Sequence, residues 1–188
     1  MKAHLRTVLF VLLMGLPVAL AAQASPRPAD LVAEAMSAGL QAEADHDGPA
    51  MVRAAERLDS LGAHPETGED IAAHWRVAAA GLGADIRTDV PRGRTLGPAY
   101  SARDVGGLER FATRQSFNAG EKANIAVVSP AGESLTLSVL DDDGAPACRQ
   151  SRVSKRISCT WVPLWTGLFS IEVENAADRP TRFYLITN

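Results

Sequence analysis

The stretch from Cys148 to Gly167 contains four cations, both cysteines and a tryptophan that follows a predicted strand. The cations are Arg149, Arg152, Lys155 and Arg156, and this tryptophan is Trp165. Cations crowded into a short, constrained segment can bind an anionic glycan, a lipid head group or an acidic protein, because their fields add. A tryptophan after a strand suits a sugar ring or a protein partner. The chemistry that this stretch predicts is therefore binding.

Two structural explanations compete with a binding role for these cations. Charge runs are usually solvated faces, and charges on an edge strand protect it from pairing with another chain. The cations could also meet the helical segment of the same chain, since residues 25–88 carry an excess of Asp and Glu. We prefer the structural explanations, and binding of an anionic partner stays a hypothesis.

A second polar stretch, Asp141-Asp142-Asp143-Gly144, is a candidate calcium site, because carboxylate oxygens are ligands that Ca²⁺ takes. It lacks the downstream glutamate and the spacing of an EF-hand loop. Aspartate and glycine are also the residues that a tight turn between strands needs. We interpret Asp141, Asp142 and Asp143 as a turn, and we expect neither a metal nor a cofactor.

Recognisable catalytic motifs are absent from the sequence. His46, His64 and His74 lack metal-ligand spacing, and neither H-E-x-x-H nor G-x-S-x-G occurs. Asp70 and His74 are four residues apart, so they could touch on one helix face. A helix-surface pair is a simpler interpretation than an acid–base dyad. The sequence therefore predicts a protein that is not an enzyme.

The cysteines lie on segments that read as strands. Ile157, Cys159 and Trp161 share one parity, which is typical of a strand with one buried face. A hairpin turning near Val153-Ser154 would set Cys148 opposite Cys159, and this spacing permits a cross-strand disulfide. In the chain-entropy model, a bridge that closes so short a loop stabilises the fold by roughly 2.5–3 kcal/mol.

The N-terminus is typical of a secretory signal peptide, residues 1–24. Lys2 and Arg6 precede an apolar run from Val8 to Leu20, and Ala22-Gln23-Ala24 is an A-x-A cleavage site. The run is short for a bilayer span, which needs about 20 residues. We therefore expect cleavage and export, to the periplasm or the extracellular space, and no membrane-spanning segment in the mature protein. An even number of cysteines agrees with an oxidising compartment.

Residues 25–88 are predicted to be a helical segment of two to three helices. Asp30 through Asp45 is rich in alanine, and Asp47 is a candidate N-cap for a second helix. A third helix is expected to start near Thr67, where a capping-box pattern occurs. Trp75, the aromatic residue of this segment, is the candidate anchor against the rest of the chain.

After a connector, residues 89–109, the spacing of apolar residues changes from a helical period to every second residue. Residues 110–188 contain about seven short segments with alternating apolar residues, separated by turn residues, which favours an antiparallel β-sandwich. The predicted fold class is α+β, with a small N-terminal helical segment before the sandwich. The chain has 19 basic and 22 acidic residues, and the absence of a dominant basic face argues against a nucleic-acid partner.

The order of strand and turn motifs in residues 108–188 resembles the bacterial pre-peptidase C-terminal type of β-sandwich, which also occurs in small exported proteins of unknown function. The motifs are Leu135-x-Leu137-x-Val139-x-Asp141, Cys159-x-Trp161-x-Pro163, Thr166-Gly167-x-Phe169-x-Ile171-x-Val173-x-Asn175 and Phe183-Tyr184-Leu185. The resemblance implies a sandwich fold and a non-catalytic accessory domain, and it transfers no ligand.

The first functional hypothesis is a non-catalytic exported interaction module that contacts an envelope or secreted protein or an anionic glycan. The alternative is a carbohydrate-binding module for envelope or extracellular glycans, which exposure of Trp165 and Tyr100 on one face would favour. The third is an unrecognised hydrolase, which would need a deep pocket that gathers Asp70, His74 and a serine.

Overall fold

The computed structural model describes residues 27–86, 97–130 and 134–188. The predicted signal peptide, residues 1–24, lies outside the described residues. Within these ranges, no helix has the length and apolar character needed to cross a bilayer.

Three helices occupy the first part of the described chain, and their ends follow from local chemistry. Asp47 is confirmed as the N-cap of the second helix, because its carboxylate accepts the Ala50 N–H at 2.9 Å. The third helix begins at Ile71 and is capped by Asp70, so the predicted start at Thr67 is wrong. Thr67 instead ends a short strand. The helices are α1 (Pro28–Ala44), α2 (Gly48–Ser60) and α3 (Ile71–Gly81).

Nine strands occur in the described residues, compared with the predicted seven or so, and they form two sheets. The two additional strands are β1, within the predicted helical segment, and β2, within the predicted connector. The four residues of β1 are mostly exposed, so they leave no alternating pattern to detect. The strands are β1 (His64–Thr67), β2 (Ala99–Val105), β3 (Arg110–Phe117), β4 (Ala123–Val128), β5 (Ser134–Leu140), β6 (Pro146–Val153), β7 (Arg156–Trp161), β8 (Gly167–Asn175) and β9 (Thr181–Thr187).

The two sheets pack face to face as a sandwich. One sheet has the order β1-β2-β9-β4-β7, and the other has the order β3-β8-β5-β6. All the pairings are antiparallel except that of β1 with β2. Alternate residues of both sheets fill the space between them, among them Ile125, Leu137, Ile171 and Phe183. This arrangement is the α+β sandwich that the period-two segments predict.

The helices cover the other face of the first sheet, which we call the helix-covered sheet. Its outward side chains join the apolar core of the helices, and α1 lies over β4 with further contacts to β7 and β9. The second sheet, which we call the open sheet, has polar residues on its outer face. The protein thus has three layers, helices on sheet on sheet. The strand residues that face the helices are Tyr100, Ala126, Val128, Tyr184 and Ile186.

Trp75 holds α3 against α1. Its ring is fully buried, and its indole N–H donates to the Glu43 carboxylate at 2.9 Å. The ring lies directly against Gly39 of α1, where a Cβ would be 2.1 Å from Cη2 of the indole. The helices can therefore approach this closely only because residue 39 has no side chain.

The disulfide between Cys148 and Cys159 is present, with an S–S distance of 2.09 Å and a Cα–Cα distance of 5.9 Å. The prediction that β6 and β7 form a hairpin within one sheet is wrong. β6 is the edge of the open sheet and β7 is the edge of the helix-covered sheet, so the chain crosses between sheets at Ser154–Lys155. The bridge therefore ties the two sheets together along one side of the sandwich.

The close packing at Gly39 predicts that Gly39→Ala destabilises the protein, although alanine is the better helix former by about 0.8–1 kcal/mol. Because the added methyl group would overlap the Trp75 ring, we expect a net loss of about 1–3 kcal/mol in the free energy of unfolding. Urea unfolding followed by circular dichroism measures it.

Gly81→Ala is the matched control, because a Cβ at this α3 position would meet nothing within 4 Å. This variant should be neutral or more stable than the native protein by up to about 1 kcal/mol. Equal stability changes in the two variants would contradict the proposed contact between Gly39 and Trp75.

Candidate binding surfaces

The four predicted cations do not form one surface. Arg149 lies on β6 opposite Ser138, on the outer face of the open sheet, and it is exposed. Arg152 pairs through its backbone with Leu135, and its side chain lies outside the described part of the structure. The β6 position of Arg149 therefore separates it from the two cations that follow the crossing between the sheets.

Lys155 and Arg156 lie beside α1. The Lys155 ammonium donates a hydrogen bond to the side-chain carbonyl of Gln41 on that helix. Arg156 is the first residue of β7, and it lines a cleft with Asp30 and Glu34. These two cations thus meet the helical segment of the same chain, which was one of the structural explanations that the sequence allowed.

Trp165 lies beyond the opposite end of β7 from Arg156. That strand is six residues long, so its ends are roughly 17 Å apart. The indole is 51% exposed. The predicted combination of cations and tryptophan is therefore divided between two ends of the molecule.

Trp165 belongs to a group of exposed apolar side chains in the β7–β8 connection and at the start of β8, which we call the apolar tip. The group consists of Val162 (50% exposed), Leu164 (84%), Trp165 (51%) and Leu168 (44%). Large apolar side chains exposed together in one segment mark an interaction site more often than scattered ones do. The available signal in the sequence was the placement of these apolar residues in a Pro- and Gly-containing turn, where polar residues are usual.

Hydrogen bonds from the neighbouring β3–β4 turn hold the backbone of the apolar tip in place. The Pro163 carbonyl accepts the Gly120 N–H at 2.9 Å. The Thr166 hydroxyl accepts the Ala119 N–H at 2.9 Å. Because both bonds connect the tip to a second turn at the same end of the sandwich, the exposed side chains project from a fixed support.

The acidic stretch forms the β5–β6 turn beside the apolar tip. An Asp141 carboxylate oxygen accepts the N–H groups of Asp143 (3.1 Å) and Ala145 (2.7 Å), and Gly144 has a φ of 78°. Asp142 and Asp143 are exposed, and a methyl group built on the nearby Gly167 would lie 3.9 Å from an Asp142 oxygen. No cluster of three potential metal ligands occurs in the residues that the structure describes. The stretch therefore adds negative charge beside the tip.

Tyr100 is buried beneath the helices, with 2% of its surface exposed. Its hydroxyl accepts the Ile71 N–H and donates to the Asp70 carboxylate, both at 3.2 Å. Burial, reinforced by the Asp70 charge, raises the pKa of Tyr100. Tyr100 and Trp165 thus do not share an exposed face, which was the observation expected to favour a glycan-binding module.

His74 contacts two glutamates and does not form the predicted pair with Asp70. Its Nε2 lies 2.8 Å from a Glu43 oxygen, and its Nδ1 lies 3.0 Å from a Glu69 oxygen. Asp70 instead accepts the Ala72 N–H at 3.0 Å as the cap of α3. The contact with Glu43 links α3 to α1, and the two carboxylates raise the pKa of His74.

Comparisons of the sequence with protein-family profiles and with curated proteins find no match. Among solved structures, the pre-peptidase C-terminal domain of a collagenase from Bacillus anthracis is similar at 12% identity, with a TM-score of 0.43 over 47% of this chain and 87% of that one. A Yersinia pseudotuberculosis-derived mitogen is similar at 13% identity, with a TM-score of 0.41 over 49% of this chain and 85% of the mitogen chain. PliG from Aeromonas hydrophila, a periplasmic inhibitor of g-type lysozyme, is similar at 13% identity, with a TM-score of 0.38 over 48% of this chain and 84% of the PliG chain. The first of these is the domain type that the sequence motifs resemble, and the sandwich itself is established by the strand pairing.

The His74 contacts predict that stability depends on pH. The hydrogen bond to Glu43, together with the charges of Glu43 and Glu69, raises the pKa of His74 above 6.5. Its stabilising contribution is fully present below about pH 6.5 and is lost as the pH rises through the raised pKa. The stability lost in His74→Gln, measured by urea unfolding, should therefore be larger at about pH 5.5 than at about pH 8.5.

Two further variants separate the contributions of the glutamates. Glu43→Gln should remove more of the pH dependence than Glu69→Gln, because the hydrogen bond to Glu43 is the largest cause of the shift. A stability loss in His74→Gln that stays constant with pH, or grows as pH rises, would contradict a raised pKa of His74.

Proposed function

We propose that this protein is a non-catalytic exported binding module whose apolar tip docks into a protein partner. The sandwich and the helices supply a rigid support, and the tip supplies the contact. The observation that carries the proposal is the exposure of four large apolar side chains, Val162, Leu164, Trp165 and Leu168, in and directly after a turn fixed by hydrogen bonds.

The composition of the apolar tip favours a protein partner over a glycan. Three of its four side chains are aliphatic, and these offer no face on which a sugar ring can stack. A tryptophan is instead typical of the central contacts of protein interfaces. Such a tip needs an apolar pocket on the partner to exclude water.

The negative charge beside the apolar tip indicates which charge the partner surface should carry. Asp142 and Asp143 are exposed in the adjoining β5–β6 turn. Because complementary potentials speed association and align the partners, the partner surface is expected to carry basic residues next to its apolar pocket. The cations Lys155 and Arg156, which face α1, lie at the other end of β7 and take no part in this contact.

The proposal predicts that Leu164→Ser combined with Trp165→Ser abolishes retention of the partner without lowering thermal stability, since both side chains are at least half exposed. The measurement is an affinity pull-down from cell-envelope extract with the disulfide-bonded protein as bait. Val77→Ser combined with Leu108→Ser is the matched control, because these side chains are 76% and 74% exposed elsewhere on the surface. The control bait should retain the partner.

Three outcomes would contradict the proposal. In the first, the tip variant retains the same protein as the native bait. In the second, the native bait retains no protein at all. In the third, a variant with serine at Arg149, Arg152, Lys155 and Arg156 loses the partner while the tip variant retains it. That result would move the binding site to the cations.

The exported role carries its own prediction. The mass of the protein recovered from the envelope or the medium should correspond to cleavage after Ala24, with Cys148 and Cys159 oxidised. Replacing Leu12 and Leu13 with arginine should keep the chain in the cytoplasm at full length, because the apolar run is then interrupted. Recovery of an uncleaved native chain from the cytoplasm would contradict export.

A further inference from the structure

A cleft between α1 and the side of the sandwich lies away from the apolar tip. It has a volume of about 330 Å³, which is at the lower end of the range typical of small-molecule sites. All three layers contribute to it, since its walls come from α1, from β6 of the open sheet and from β7 of the helix-covered sheet. The lining residues are Asp30, Leu31, Glu34, Gln150, Arg156, Ile157 and Ser158.

Opposite charges face this cleft without neutralising each other. Glu34 on α1 and Arg156 on β7 both line it, and no ion pair joins them. Within the described part of the chain, neither side chain has a hydrogen-bonding or ionic partner. Asp30 supplies a second carboxylate, which is 3.6 Å from the Arg27 guanidinium. The cleft thus offers an acidic wall and a basic wall, each able to bind a group of opposite charge.

The remaining lining residues complete a polar site with a small apolar base. The Gln150 amide and the Ser158 hydroxyl can donate and accept hydrogen bonds, and Leu31 and Ile157 supply apolar surface. Ile157 is only 4% exposed, because its side chain belongs to the core between the two sheets.

Both charged groups stand on fixed elements. Glu34 is in the middle of α1, and Arg156 begins β7 opposite Val128 of β4. The Arg156 carbonyl also accepts the Ser154 hydroxyl at 2.6 Å. A helix and a strand therefore fix the backbone of the two walls, and the disulfide ties β6 to β7 beside them.

We propose that this cleft binds a small zwitterion, with its ammonium group at Glu34 and Asp30 and its carboxylate at Arg156. A free amino acid or a short peptide with unblocked ends carries this pair of groups. A guanidinium suits a carboxylate because its planar donors match the two oxygens. This inference goes beyond the proposed function, since it concerns a second ligand at a different surface.

The test is an NMR titration of the ¹⁵N-labelled, disulfide-bonded protein with alanine, dialanine and trialanine, each up to about 10 mM. Saturating shifts are expected at the amides of Glu34, Gln150 and Ser158 for at least one probe. The length that binds best distinguishes a free amino acid from a peptide. N-acetyl and C-amide forms of that probe should each bind about tenfold more weakly or worse, because each lacks one charge.

Variants locate the site independently of the blocked probes. Glu34→Gln and Arg156→Gln should each lower the affinity by about tenfold or more. Both side chains are exposed, so neither variant should unfold the protein. Arg149→Gln, on the outer face of the open sheet, is the matched control and should bind like the native protein.

Several results would overturn the proposal. These are an absence of saturating shifts with all three probes, equal binding of blocked and unblocked forms, shifts confined to another surface, or equal affinities for the cleft variants and Arg149→Gln. None of these results bears on the apolar tip, so the cleft and the proposed protein contact can fail separately.

Discussion

Burial of both faces of the helix-covered sheet is the constraint on which the rest of the structure depends. All six residues of β4 are buried. Ile125 and Val127 point into the sandwich, while Ala126 and Val128 point toward the helices. A strand in this position is largely apolar on both sides, because neither side reaches water. The helices are therefore part of one folded unit with the sandwich, since their removal would expose an apolar sheet face.

The same constraint removes both faces of the helix-covered sheet as binding surfaces. The two proposed binding surfaces lie at an end of the sandwich and along the side where β6 and β7 are edges. The apolar tip is at one such end, held by Gly120 and Ala119. The cleft is along the side, where the disulfide holds the edges of both sheets together. Tight packing thus makes the fold rigid, and the edges and turns carry the side chains of the two proposed binding surfaces.

His74 and Tyr100 show how long-range packing changes an interpretation based on local spacing. The four-residue spacing of Asp70 and His74 indicates a possible contact, but the Asp70 carboxylate instead caps the N-terminus of α3. His74 finds Glu43, 31 positions away, because α1 and α3 pack together around Trp75. Tyr100 becomes the hydrogen-bonding partner of the α3 N-terminus, since β2 is covered by the helices. These two contacts, of His74 with Glu43 and of Tyr100 with the α3 N-terminus, join residues that share no local pattern.

The sequence by itself determined the local elements: the strand parity around Ile125 and Leu137, the Asp47 cap and the pairing of the two cysteines. These depend on near neighbours and on the burial of alternate side chains. Only the tertiary structure decided that β6 and β7 belong to different sheets, which separates Arg149 from Arg156. A period of two shows which face of a strand is buried, but it does not show which strand lies beside it. The division of the predicted site into a tip and a cleft therefore depended on the packing of the sheets.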